Sequence, residues 1–314
     1  MKKKTLSQKV VSSALLLVAA TLLAPSVLFS QTSQVATQKP SPAPISTVDQ
    51  IGVGDNPTGI AFDGSSIWVT NQSSNTVSNI ALNGTVLNSY NVGHNPTGVA
   101  SDGTYIWVAN TADNTVSKLT RDGVVGTFEV GDGPLAVLVA AGGVWVTNSR
   151  AGTVTKLASS GKPIGTYTVG TRPVGLASDG TNVWVTNNKS DSVTKLSAAG
   201  TVLGTYTVGD GPFGIAYDGT NIWVTNFFGG TAMRLNVSDG SIVSTLKVGD
   251  GAAGIAVNRG YVLIVNNGSN TLMTFSTTGA LLATSTVGRS PYAVVSDGSG
   301  YWVTNSGSNT VSRR

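Results

Sequence analysis

From residue 47 onward, apolar residues recur in short runs bounded by turn formers, and no stretch shows the 3.6-residue period of a helix. One unit displays the pattern. "PTGIAFD" from Pro57 is closed by Asp63-Gly64. "SIWVTN" from Ser66 is apolar on both of its alternating faces, with Ile67 and Val69 on one and Trp68 on the other. Such a run reads as a strand covered on both sides. "QSSN" separates it from "TVSNIA" at Thr76, and Asn83-Gly84 precedes "TVLNSYNV" from Thr85, which carries more polar residues. Asp-Gly and Asn-Gly supply the left-handed backbone that tight hairpins need. The unit therefore predicts four antiparallel strands, the second central and the fourth outermost.

The unit repeats. Val-Gly occurs at Val53, Val92, Val130, Val169, Val208, Val248 and Val287. Tryptophan keeps the same beat at Trp68, Trp107, Trp145, Trp184, Trp223 and Trp302, with Leu263 in the vacant place. A period of about 40 residues rich in strand formers marks a propeller blade. Gly59 and Ala61 leave the first strand small enough to crowd a narrow axis. The seventh unit stops after its third strand, at "TVSRR", while "TVDQIGVG" from Thr47 resembles a fourth strand. The expectation is an all-β, seven-bladed β-propeller over residues 47–314, closed by its N-terminal strand, which removes an exposed sheet edge.

Repetition also separates scaffold from candidate site. The tryptophans read as core. Asn71, Asn110, Asn148, Asn187, Asn226, Asn266 and Asn305 end all seven second strands and read as caps of their own loops. Asp63, Asp102, Asp179, Asp218 and Asp297 read as hairpin turn residues. Against this background "FFGG" at Phe227 stands where the other blades have "QSSN", "TADN", "SRAG", "NKSD", "NGSN" and "SGSN". Loops joining second to third strands share a face with the loops between blades. That face also gathers a variable position: Thr58, Thr97, Leu135, Val174, Phe213, Ala253 and Tyr292. Phe213, Phe227, Phe228, Tyr292 and Leu135 are the candidate ligand-binding residues, since loops on a rigid scaffold carry recognition. The competing reading of the phenylalanine pair is a hydrophobic plug beside Gly229 and Gly230.

"YNVGHNPTGVASDGTYIWVANTADNTVSKL" and its sister units resemble the YVTN family of β-propeller repeats, over nearly all of residues 47–314. The chain is also similar to streptogramin lyase propellers and to YncE-like periplasmic propellers. These resemblances imply, respectively, an enzyme and a binder of single-stranded DNA. Lyase resemblance implies histidines and a glutamate around a magnesium ion. This chain has one histidine, His94, and one glutamate, Glu129. That constellation is missing from the sequence, and no catalytic residue is assigned.

The ends and the charge refine the picture. "MKKKTLSQK" followed by apolar residues 10–29 reads as an export signal over 1–30. An uncleaved membrane anchor is the rival reading. Residues 31–46, "QTSQVATQKPSPAPIS", are polar and proline-bearing and read as a disordered linker. Removing Lys2, Lys3, Lys4 and Lys9 from 19 basic residues leaves 15, against 15 acidic, so the chain beyond the signal is neutral. Neutrality argues against a nucleic-acid groove. There is no cysteine, which excludes disulfides, thiolate metal sites and a lipidated N-terminal cysteine.

Asp55, Asp132, Asp210 and Asp250 follow Val-Gly and are the candidates for a divalent cation at the channel, although Gly-Asp-Gly is also ordinary turn chemistry and no cofactor is expected. The functional expectation is an exported monomeric propeller, periplasmic, cell-surface or extracellular. It binds a protein, peptide or glycan on one loop face without catalysis. A lyase or hydrolase and a DNA binder are the alternatives.

Overall fold

The computed structural model describes residues 49–314. The expected signal at 1–30, the linker at 31–46 and the first two residues assigned to the closing strand lie outside the described residues. Seven four-stranded antiparallel sheets form the blades of a propeller, with no helix among the described residues. Blade 1 follows the hydrophobic pattern: Pro57–Phe62, Ser66–Asn71, Thr76–Ala81 and Val86–Asn91. The first strands of adjoining blades touch around the axis, and blade 7 touches blade 1.

Blade 7 takes its outer strand, Asp49–Gly52, from the start of the described chain. It pairs antiparallel with Thr310–Arg313, placing Asp49 opposite Arg313 and Gly52 opposite Thr310. Gln50 Nε2 donates to Ser312 Oγ at 2.7 Å, and Thr310 Oγ1 donates to Gln50 Oε1 at 2.6 Å. Three-stranded blade 7 would otherwise expose the edge of Thr310–Arg313.

Second strands are buried along their apolar length, whereas fourth strands alternate between exposed and half-buried positions. All six tryptophans are sealed between blades. Their indole N–H groups need acceptors there. Trp68, Trp107, Trp184, Trp223 and Trp302 each donate to the aspartate of their own Asp-Gly turn. Blade 3 has no such aspartate, and Trp145 donates to the carbonyl of Ala140. The turn aspartates thus do more than shape hairpins.

The threonine of "WVTN" explains how blades join. In blade 1 the first strand slips register between Pro57 and Ile60, which frees the Gly59 N–H. Thr70 Oγ1 accepts that N–H at 2.8 Å and donates to the Thr97 carbonyl of blade 2. Thr147, Thr186 and Thr225 make the same pair of bonds to blades 4, 5 and 6. Thr304 does so to Thr58 of blade 1, closing the ring. Ala109 and Val265 break the series, and Thr111 compensates in blade 2 by donating to the Pro134 carbonyl at 2.6 Å. Glycine is required at Gly59 by proximity, because a Cβ there would meet the Thr97 carbonyl oxygen.

The strand-ending asparagines cap differently from expectation. Asn71 Nδ2 donates to Thr76 Oγ1 and Ser78 Oγ, so the amide nitrogen is spent on hydroxyls of the third strand. The amide oxygen of Asn110, Asn148, Asn187 and Asn266 accepts the glycine N–H of the preceding inter-blade Val-Gly. Each ties two loops of the same face and is itself buried.

Candidate functional site: an aromatic cavity at the channel mouth

Phe227 and Phe228 open the loop between Asn221–Asn226 and Thr231–Asn236 of blade 5. That loop is fixed by backbone: Phe227 N–H donates to Gly211 at 2.8 Å, and Gly229 N–H donates to Asp210 at 3.1 Å. The two rings then part. Phe227, half-buried, packs on the core shared by blades 6 and 7, made of Ala253, Leu263, Val265, Leu272, Val294 and Val303. Phe228 lies over Gly211 and stays 65% exposed. Phe227 thus has one side against the core and also faces a cavity, whereas Phe228 is presented to solvent.

Phe213 and Tyr292 reach the same place from the first strands of blades 5 and 7. The register slip turns this position toward the channel. Ring centroids lie 5.4 Å apart for Phe213 and Tyr292, edge to face, and 5.7 Å apart for Phe213 and Phe227. Phe227 and Phe228 meet edge to face at 5.3 Å. These separations suit aromatic pairing. Blade 6 sits between blades 5 and 7, and its small Ala253 at the same position leaves room for Phe213 to reach Tyr292.

All five candidates, Leu135 included, line one cavity of about 510 Å³ at the mouth of the channel. Its other walls are mostly amides and hydroxyls, among them Gln72, Asn188, Asn267 and Ser306, with one charged group, Arg172. These polar residues occupy the position just after each strand-ending asparagine, the position Phe227 takes in blade 5. Asn188 Nδ2 donates to the Pro212 carbonyl and Asn267 Nδ2 to the Pro291 carbonyl, so both amides are held in place. In the sequence each of them reads as loop filler, and their common register directly after the strand-ending asparagine is the signal that marks them. Below the mouth, a narrower cavity of about 230 Å³ runs between the first strands.

Burial pushes the Tyr292 phenol up to about 12, even with the Arg172 charge pulling it down. It stays protonated at neutral pH and can donate a hydrogen bond. The cavity lining holds no histidine, glutamate or aspartate. His94 is exposed on the loop before blade 2, where its Nδ1 lies 2.9 Å from Asp113 Oδ1. The backbone N–H and ring of His94 hold the Asp113 carboxyl below its usual range. Glu129 ends the outer strand of blade 2 and is exposed. The residues present do not fit a magnesium ion held by histidines and glutamate.

The four aspartates that follow Val-Gly stand apart from the mouth cavity. Asp55, Asp132, Asp210 and Asp250 are exposed, one per loop, and none lines the mouth cavity. Asp132 is paired with Arg150 at 2.8 Å, and Asp55 Oδ1 accepts from Asn309 Nδ2. Among the described residues, no three of His, Cys, Asp and Glu come together. Only four of the seven inter-blade loops carry this aspartate; the other three have His94, Thr171 and Arg289.

Solved structures share this architecture. The virginiamycin B lyase from Staphylococcus aureus superposes with a TM-score of 0.75 at 18% identity, covering 85% of this chain and 98% of that one. A catalytically inactive histidine-to-alanine variant of that lyase, solved with quinupristin, gives 0.76 at 18% identity, covering 85% and 98%. The Kuenenia stuttgartiensis hydrazine synthase gives 0.74 at 18% identity, covering 84% and 96%. At these identities the likeness speaks for the fold alone. No curated protein matches the chain. The sequence model of the virginiamycin B lyase family matches residues 45–248, and the chain belongs to that family.

Proposed function

We propose that this chain is an exported binding propeller that holds a protein segment, peptide or glycan at the channel mouth. The observation that carries the reading is the convergence of Leu135, Phe213, Phe227, Phe228 and Tyr292 on one cavity, although none of these aromatics is required by the repeat. Its volume, about 510 Å³, lies within the range of small-ligand sites. Anchored amides around an aromatic floor suit a partner with both apolar faces and hydrogen-bonding groups, as peptides and sugars have. The basic and apolar N-terminal sequence supports export.

The test is a fluorescence binding screen of arrayed peptides and glycans, run with wild type and with Phe228→Asn. Ligands that bind wild type should be lost or weakened in the variant. A set of ligands bound equally by both proteins would refute this site.

Family membership favours a second reading, a lyase acting on virginiamycin B or a related compound. Such chemistry needs a proton-transfer group beside the bound molecule. Tyr292 is the titratable group of the lining besides Arg172, and its raised pKa makes it a poor base at neutral pH. Incubation of the protein with virginiamycin B and magnesium, followed by mass spectrometry, decides. Turnover that exceeds a heat-inactivated control establishes the lyase reading.

A further inference from the structure

A second cavity, about 490 Å³, adjoins the aromatic one and shares Leu135 and Arg172 with it. Its walls bring Arg150, Arg172 and Lys189 together from blades 3 and 4. Two backbone bonds fix the loops that carry the last two: Asn188 N–H donates to Arg172 at 2.9 Å, and Lys189 N–H donates to Thr171 at 3.1 Å. Arg150 is neutralised by Asp132 and is further occupied by the Thr111 carbonyl. The ion pairs among the described residues include neither Arg172 nor Lys189. Asp191, two residues beyond Lys189, directs its Oδ1 to the Gly211 N–H instead.

Arg172 is also an unusual residue for the backbone it occupies. Its φ is 56°, the left-handed region. At the same loop position the other blades have Asn56, Asn95, Gly133, Gly211, Gly251 and Ser290, all with positive φ. Glycine and asparagine suit that conformation, and a long side chain carries a strain cost. The blade does not need arginine there. A residue with a backbone strain cost that lines two cavities, its guanidinium without an ion pair among the described residues, is a mark of recognition.

We propose that the two cavities are one bipartite site for an amphipathic monoanion, a peptide segment that carries an aromatic group beside a single carboxylate. Its aromatic part lies against Phe213, Phe228 and Tyr292, and its carboxylate lies between Arg172 and Lys189. The guanidinium fork matches a carboxylate in shape. Two free cations, with Arg150 already paired, suit a single negative charge rather than a polyanion. This inference rests on the binding reading of the mouth cavity and names the chemistry of its ligand.

The probes are 2-naphthoate and its neutral counterpart 2-naphthalenemethanol, titrated by fluorescence and calorimetry at low and high salt. Wild type should hold the carboxylate roughly tenfold more tightly than the alcohol at low salt. Salt should shrink that preference, since screening acts over about 8 Å at physiological ionic strength. Arg172→Asn, which installs the residue of blades 1 and 2, should erase the preference without lowering Tm. Phe228→Asn should weaken both probes and keep the preference. Equal affinity for the two probes in wild type, or a preference that survives in Arg172→Asn and Lys189→Ser, overturns the anion site and leaves the binding cavity standing. Failure of both probes to bind wild type overturns the bipartite site, while the binding reading of the mouth cavity stands or falls by the peptide and glycan screen.

Discussion

Trp68 and Asp63 meet inside blade 1, the indole Nε1 donating to Asp63 Oδ2 at 2.8 Å. The other oxygen of Asp63 accepts the N–H groups of Ser65 and Ser66, so one carboxylate closes a hairpin and satisfies a buried indole. Partial burial alone would raise its pKa. The Trp68 bond and the two backbone N–H groups outweigh that and hold Asp63 well below the usual range. Asp102 and Asp179 are held low in the same way, and Asp297 is brought down to about 2.

A carboxyl whose pKa falls on folding stabilises the fold above its unfolded value, near 4, and loses that contribution as pH falls through the folded value. Melting temperature should therefore decline progressively below about pH 4, through the interval between about pH 4 and pH 2. Asp297→Asn should flatten this acid limb. Asp63→Ala should cost about 1–3 kcal/mol at neutral pH by stranding the Trp68 N–H. Thermal melts across pH measure both, and an acid limb identical in wild type and Asp297→Asn would contradict the assignment.

Closure of the ring makes a second prediction. Deleting residues up to Val53 uncovers the edge of Thr310–Arg313 and removes both Gln50 side-chain bonds. Open edges invite pairing with other chains. The truncated protein should melt lower and should elute as oligomers in size-exclusion chromatography. A monomer of unchanged Tm would show that the outer strand of blade 7 is dispensable.

The two phenylalanines should behave oppositely. Phe227→Asn removes a half-buried ring packed on the core between blades 6 and 7, at a cost of about 1–3 kcal/mol. Phe228→Asn removes an exposed ring and should change stability by about 0.5 kcal/mol or less. Denaturant titration of the two single variants compares them directly. Equal losses would mean that Phe228 is also a structural plug.

Arg172→Gly should not destabilise the fold and should gain up to about 1 kcal/mol, because glycine adopts a positive φ without strain. Glycine is less constrained in the unfolded chain, which trims the gain. Arg172→Asn avoids that offset. A marked loss of stability in both variants would show that the arginine side chain supports the loop.

Much of this protein is legible in its sequence. Each blade repeats one burial pattern, so Trp68, its sisters and the doubly apolar second strands announce the architecture, and the orphan strand before Gly52 announces its closure. The repeat also marks Phe227 and Phe228 as departures. It does not reveal that the threonine of "WVTN" joins neighbouring blades, because the register slip that frees the Gly59 N–H has no signature in the alternation. Nor does it separate the roles of two adjacent, chemically identical rings.

Those roles are set by the direction of the loop backbone, which packs Phe227 half-buried against the core of blades 6 and 7 and leaves Phe228 over Gly211. The contact of Phe213 with Tyr292 is likewise tertiary: the ring turns separation along the chain into angle around an axis, so residues two blades apart meet at the channel mouth. Periodic burial along a strand is a local property and is written in the sequence. Which variable side chains share a cavity depends on the closed ring, and only the folded propeller decides it.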